Sequence, residues 1–146
     1  MDKQYFQNEL SYLIWDRNYR YRDQSQIFDE TIEDTWQRIA TALSKHEISD
    51  KEFWQQQFYQ AMSGFTFLPG GRIQAGCGTQ HKVTLFNCFV MGTIEDSMNG
   101  IFNALKEGAL TMQQGGGVGY DFSTLRPEGM PANVTGRVAS GPVSFM

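Results

Sequence analysis

The residues best suited to chemistry lie between Leu85 and Phe122, in LFNCFVMGTIEDSMNGIFNALKEGALTMQQGGGVGYDF. Cys88 sits inside an apolar, β-prone run, an amphipathic stretch follows, and a run of glycines leads into a second short strand. A thiol reacts as its thiolate or by passing to a disulfide. Held on a stiff strand beside glycine backbone, it suits radical or redox chemistry on a polar substrate. The same pattern fits a buried cysteine acting as a small hydrophobe, so both readings stay open. With a period of two, Cys88 shares a face with Phe86 and Val90, and Asn87 shares the other with Leu85 and Phe89. An amide in so apolar a run needs partners, at a cost of about 1–3 kcal/mol if it finds none. An Asn-Cys pair there is unusual for packing alone.

Other motifs are weaker. The GGGVG run lacks the lysine of a Walker loop, and Tyr120 stands where the dinucleotide fingerprint needs glycine. These glycines also follow a helix and open a strand, so no helix N-terminus points at a phosphate. What remains is close approach to the main chain, by another element or by a ligand. Cys77 lies in the loop Ala75–Thr79 with no sign of a chemical role. Two cysteines with His46 and His81 make neither a disulfide scaffold nor a zinc site, and no metal is expected. Asp96 reads as a helix cap and Arg126 as a solvated loop cation. Together they could also bind a nucleotide, carboxylate to hydroxyls and guanidinium to phosphate.

The elements that must position these residues divide at Gly64. All 15 glycines lie at or after it. Residues 1–62 carry 7 basic and 11 acidic side chains, and residues 63–146 carry 5 of each. The front is therefore helical and acidic, the back glycine-rich and neutral. Three helices fit the front: Asn8 to Arg17 with Leu10, Leu13 and Ile14, and Tyr12 and Trp15 on or near the same face; Thr31 to Lys45 with Ile32, Trp36, Ile39, Ala40 and Leu43; and a third entered through a Ser49-x-x-Glu52 capping box, presenting Phe53, Trp54, Phe58 and Met62. Thr31 is a plausible N-cap and Gly64 a C-terminal stop.

The back reads as a short extended piece at Phe65–Leu68, a break at Pro69-Gly70-Gly71, and a strand over Lys82–Met91 covered on both faces. A helix capped by Asp96 or Ser97 follows, burying Ile101, Phe102, Leu105, Ala109 and Met112, and then a strand over Val118–Phe122. A β-α-β crossover of this length implies a parallel pair in an α/β layer. Two or three strands cannot close such a sheet, and the apolar ending Val143–Met146 looks cut from something larger.

Net charge is −4 with 40% apolar and 14% aromatic residues, which describes a folded protein without a basic face for nucleic acid. No apolar run reaches membrane-spanning length, and the N-terminus lacks the apolar core of a signal peptide. The cytoplasm is the default location.

The segments FLPGGRIQAGCGT (67–79), TLFNCFVMGTIEDSM (84–98), ALTMQQGGGVGYDFSTLRPEG (109–129) and ASGPVSFM (139–146) resemble the large catalytic chain of ribonucleotide reductases, most closely the adenosylcobalamin-dependent class. The front, with YRYRD and TIEDTWQRIA, is similar to the helical N-terminal region of those chains. The resemblance implies an α/β fold: a helical region over 1–64, then over 65–146 the first strands and helix of a ten-stranded α/β barrel, left incomplete. It implies that Cys88 is one of two thiols that reduce the ribose 2′ position and become a disulfide. Asn87 and the backbone at Gly71–Arg72 and Gly116–Gly117 match substrate-contacting segments. Asp96, Ser97 and Arg126 match a specificity site for a nucleoside triphosphate effector, beside a homodimer interface formed by the helix after the Cys strand.

The resemblance also implies what is missing. The cysteine that becomes a thiyl radical and the second reducing cysteine have no counterpart, and no ligand of adenosylcobalamin is assigned. Within the family the radical removes the ribose 3′ hydrogen, the 2′ hydroxyl leaves as water, and the thiol pair supplies electrons. The expectation is an N-terminal part of such an oxidoreductase, inactive until joined by its C-terminal remainder. The alternative is a nucleotide-binding or dimerisation module that kept the effector site and lost the chemistry. A small thiol-redox protein would want a C-x-x-C pair, which is absent.

Overall fold

The computed structural model describes residues 5–132 and 136–145. The chain divides into two compact units, residues 1–86 and 87–146, and each is taken by itself.

The first unit is helical: α1 (Glu9–Asn18), α2 (Ile32–Ser44), α3 (Lys51–Met62) and a short α4 (Gly71–Gly76). Asn8 caps α1 by accepting from the Ser11 amide, and Thr31 caps α2 in a reciprocal box with Asp34. The core gathers Trp15, Ile32, Trp36, Ile39, Ala40, Met62 and Cys77, with Tyr5 and Phe65 packed edge-on against Trp36 and Phe6 edge-on to Phe65 and tilted against Trp15. Several expectations change here. On α1, Trp15 is buried as its place near the apolar face implies, but Leu10, Leu13 and Ile14 are exposed. The Ser49–Glu52 capping box does not form: α3 starts from Asp50, left-handed at φ 50 and without a side-chain cap. Asp tolerates that conformation, and it turns the chain sharply enough to lay α3 on α2. Gly64 does stop α3, at φ +66, but the next residues are not extended. They form a 3-10 turn, Ser63–Phe65, that drives the Phe65 ring into the aromatic cluster.

Residues 65–86, which glycine content groups with the back half, thus pack with the helices. The break at Pro69–Gly71 opens α4, and Cys77 at its end is buried. Four contacts the sequence hides explain this: Ile73 docks on the core, the Gln74 side-chain amide donates to the Pro69 carbonyl at 2.8 Å, and Arg38 donates both to the Gln74 carbonyl and to the Cys77 carbonyl.

The second unit is β-α-β: β1 (Cys88–Val90), α5 (Met98–Gln113) and β2 (Gly117–Gly119). The strands pair in parallel, with Cys88 opposite Gly117, Phe89 opposite Val118 and Val90 opposite Gly119. Ser97 caps α5 by accepting from the Gly100 amide at 3.0 Å, and Gly115, at φ +89, ends it. Both strands are shorter than the apolar runs suggest, three residues each instead of spans over Lys82–Met91 and Val118–Phe122. Cover on both faces is not seen: Phe86 and Val90 are exposed. The apolar face of α5 is likewise open, with Phe102 and Leu105 each 55% exposed and Met112 also exposed. A two-stranded ladder among the described residues has too little surface to bury either. The result is a helical region followed by the start of an open α/β sheet. Among the described residues no helix is long and apolar enough to cross a membrane.

Candidate functional site

Cys88 is exposed, at the first position of β1. Its register opposite Gly117 brings the sulfur against bare backbone: a methyl group added at Gly117 would lie 3.3 Å from Sγ. The Gly117 amide donates to the Asn87 carbonyl at 2.8 Å and the Met91 amide to that of Gly119 at 2.9 Å, so the strand under the thiol is fixed at both ends. The Asn87 side chain is exposed, so its amide does not depend on a protein partner. Gly116 is buried for a different reason. The Phe89 ring and Thr111 methyl occupy the place of a Cβ there, 2.7 and 2.9 Å from it. Gly116 therefore lets β1 and α5 close on the glycine run, and Gly117 leaves one side of the sulfur open.

Tyr120 completes the framework. Its hydroxyl donates to the Ala104 carbonyl at 3.2 Å and sits against Gly108 of α5, where any Cβ would overlap it. Gly108 and Tyr120 are a matched pair that sequence reading passes over, because twelve residues separate them.

Asp96 and Arg126 do meet. Arg126 Nε donates to Asp96 Oδ2 at 2.7 Å, Nη2 to the Asp96 carbonyl at 3.4 Å and Nη1 to the Pro131 carbonyl at 3.2 Å. Asp96 is thus not the helix cap, a role Ser97 takes. The pair borders a cleft of about 530 Å³ with Ser97, Met98, Asn99 and Ile101 at the start of α5 on one wall and Val138–Pro142 on another. Among the described residues, these contacts use three of the five guanidinium N–H groups. The Thr124 hydroxyl donates to the Ile94 carbonyl at 2.6 Å and steadies the loop that carries Arg126.

Gly71 and Arg72 belong to the first unit. Gly71 begins α4, with the Tyr19 ring against it: a Cβ would lie 3.3 Å from the Tyr19 hydroxyl. Arg72 is exposed. Cys77 is buried, and burial pushes its thiol above the ordinary range while Arg38 partly opposes the shift. It cannot act as a ready thiolate. Among the described residues no group of three or more His, Cys, Asp or Glu side chains converges on a metal position.

The unit that sequence reading missed is polar. Asp29, 2% exposed, accepts from the Thr35 hydroxyl at 2.8 Å, from the Tyr21 amide at 3.1 Å and from Arg38 at 2.9 Å. The Trp15 indole in turn donates to Thr35 Oγ1 at 3.1 Å. The only sequence signal was an Asp and an Arg flanking a strongly amphipathic helix, each of which reads as a surface charge.

Comparison with known proteins agrees with this division. Residues 5–82 match the ribonucleotide reductase all-alpha domain, and residues 86–146 match the ribonucleotide reductase barrel domain. The vitamin B12-dependent ribonucleoside-diphosphate reductase of Mycobacterium tuberculosis (strain ATCC 25618 / H37Rv) is 39% identical over 108 residues, 74% of this chain and 15% of that protein. The enzyme of the same name from Thermoplasma acidophilum is 36% identical over 132 residues, covering 89% of this chain and 16% of the relative. The ribonucleoside-diphosphate reductase subunit alpha of Chlamydia pneumoniae is 26% identical over 133 residues, 91% and 12% respectively. The chain thus spans less than a fifth of the length of these relatives. With both domain models matched in order along it, the chain belongs to the ribonucleotide reductase large-chain family.

Proposed function

We propose that this chain supplies the helical region and the first barrel strands of a ribonucleotide reductase, with Cys88 as one of the two thiols that reduce the ribose. One observation carries the reading: Cys88 presents an exposed sulfur opposite Gly117, on backbone bare enough for a sugar to lie close. In the reaction the 2′ hydroxyl leaves as water, a C–H bond takes its place, and two thiols become a disulfide. Cys88 supplies one sulfur and one of the two electrons. The second thiol and the radical cysteine come from the C-terminal remainder of the large chain. The strand fixes the Cys88 sulfur before the substrate arrives, so little ordering is left for the reactive complex. Asn87, Gly116 and Gly117 border the sugar, and the resemblance assigns a substrate contact to the backbone at Gly71 and Arg72 as well.

The vitamin B12-dependent names of two relatives support adenosylcobalamin as the source of the initiating radical. No residue of this chain is assigned to hold it. Asp96, Ser97 and Arg126 bind a nucleoside triphosphate effector in the cleft beside α5, and the exposed apolar face of α5 pairs with a second copy in the complete enzyme. Two free thiols fit a reducing compartment such as the cytoplasm.

The test is complementation. This chain mixed with the remainder of the large chain, cobalamin cofactor, ribonucleotide and reductant should restore turnover, and Cys88→Ser should abolish multiple turnover. Undiminished turnover by Cys88→Ser removes the proposed role. The intact Asp96–Arg126 pair favours one other reading, a module that binds effector without chemistry. Deoxynucleotide binding to the chain, weakened by Asp96→Ala, with no activity on complementation would decide for it.

A further inference from the structure

We infer that Asp96 is a specificity-determining residue of the cleft beside α5: by holding Arg126 it turns away bare polyphosphates and yields only to a ligand that brings sugar hydroxyls. This rests on the reading above that the cleft takes a nucleoside triphosphate.

The cleft lies within the second unit, and its described lining carries two charged side chains, Asp96 and Arg126. They answer each other, with Arg126 Nε 2.7 Å from Asp96 Oδ2. The Ser97 hydroxyl oxygen already accepts from the Gly100 amide. Among the described residues the lining therefore holds no cation beyond Arg126, and the charge of that one is cancelled by its neighbour. An approaching triphosphate meets a neutral pair instead of a positive pocket. To gain an ion pair with Arg126, a phosphate must displace the Asp96 carboxylate or settle beside a like charge.

That exchange is uneven between ligands. The side chains of Arg126 and Asp96 are 27% and 35% exposed, so the pair is open enough to water to be given up. Once phosphate takes the guanidinium, Asp96 stands as a carboxylate beside anionic oxygens, short of donors and repelled. A nucleotide sugar carries hydroxyls that donate to the carboxylate and replace the lost bond. An inorganic polyphosphate has the same phosphate groups and no such hydroxyl, so it meets the repulsion in full. Selectivity then comes from an unfavourable contact with the wrong ligand. The loop carrying Arg126 does not depend on the carboxylate alone. Arg126 Nη1 donates to the Pro131 carbonyl at 3.2 Å, and the Thr124 hydroxyl to the Ile94 carbonyl at 2.6 Å. Asparagine at position 96 keeps the shape and an acceptor for Nε and removes only the charge.

The experiment uses this chain complemented with the remainder of the large chain, at fixed salt and magnesium. Inorganic tripolyphosphate and each of the four common deoxynucleoside triphosphates are titrated in by calorimetry. Asp96→Asn should bind tripolyphosphate about tenfold more tightly than the parent, with no gain for the tightest deoxynucleotide. Asp96→Ser, neutral and shorter, should shift the same way. Arg126→Gln should weaken both ligands, and Asp96→Asn made in that background should bring no gain, because the gain runs through the arginine. Added salt should narrow the tripolyphosphate difference between parent and Asp96→Asn. Tripolyphosphate binding that is unchanged or weaker in both Asp96 variants, beside normal deoxynucleotide binding by the parent, overturns the selector role and leaves the effector reading standing. A carboxylate that only braces the loop would give that result. Equal tightening toward both ligands also overturns it, since Asp96 would then repel phosphate without choosing between ligands. A gain that survives Arg126→Gln puts the polyphosphate elsewhere and overturns it as well. A parent that binds none of the deoxynucleotides overturns the effector reading, and the selector role falls with it.

Discussion

Gly117→Ala separates the chemistry of the site from its stability. The new methyl would sit 3.3 Å from Cys88 Sγ and 3.4 Å from the Asn87 carbonyl oxygen, contacts tight enough that the sulfur must give by a few tenths of an ångström. Gly117 does not have a positive φ, so alanine brings no backbone strain. Turning the thiol off its rotamer costs about 0.5–1.5 kcal/mol. Removing a glycine from a strand returns about 0.5–1 kcal/mol. The two nearly cancel, and the urea midpoint should move little. Activity should not be spared, because the methyl fills the space beside the sulfur where the sugar is proposed to lie. A displacement of about 1 Å between reacting groups costs on the order of a hundredfold in rate. The assay is multiple-turnover reduction by the complemented enzyme, with urea unfolding of the same preparation. Gly116→Ala is the contrast: its Cβ meets the Phe89 ring at 2.7 Å and the Thr111 methyl at 2.9 Å, rigid neighbours, and overpacking should cost about 1–3 kcal/mol. A stable Gly117→Ala enzyme within threefold or so of the parent rate would refute the placement of substrate over this glycine.

Other expectations follow from the same geometry. Iodoacetamide at pH 8 should label Cys88 well before Cys77, by more than about tenfold in rate as read by mass spectrometry, because Cys77 is buried with its thiol pushed up. Since the unfolded Cys77 thiol ionises first as pH rises, its contribution to stability is complete below the ordinary thiol pKa and is lost above it. Urea midpoints of the parent should fall across pH 8–10 more steeply than those of Cys77→Ala. Asp29→Ala leaves the Arg38 cation buried without its counter-charge and should cost about 3–5 kcal/mol in urea unfolding, and a loss under about 1 kcal/mol would mean that the carbonyl partners alone suffice. Gly108→Ala should destabilise by about 1–3 kcal/mol by expelling the Tyr120 hydroxyl from its seat on α5, and Gly108→Ala with Tyr120→Phe should recover part of the loss.

The sequence by itself determined the features that are local. Thr31 and Asp34 form their box because the partners are three residues apart, Ser97 caps α5 for the same reason, and a crossover of this length obliges Cys88 and Gly117 to lie on parallel strands. Four ordered motif blocks were enough to point to the family. What only the tertiary structure decided depends on contacts between distant residues. The aromatic cluster pulled Phe65 out of an extended path, and Arg38 turned a glycine-marked break into α4. Asp96 left the helix cap for an arginine thirty residues away, and Tyr120 found Gly108. Periodicity sees one element at a time, so it could not know that charges at 29 and 38 face inward. Nor could it tell that the apolar faces of β1 and α5 stay open where the described residues hold nothing to cover them.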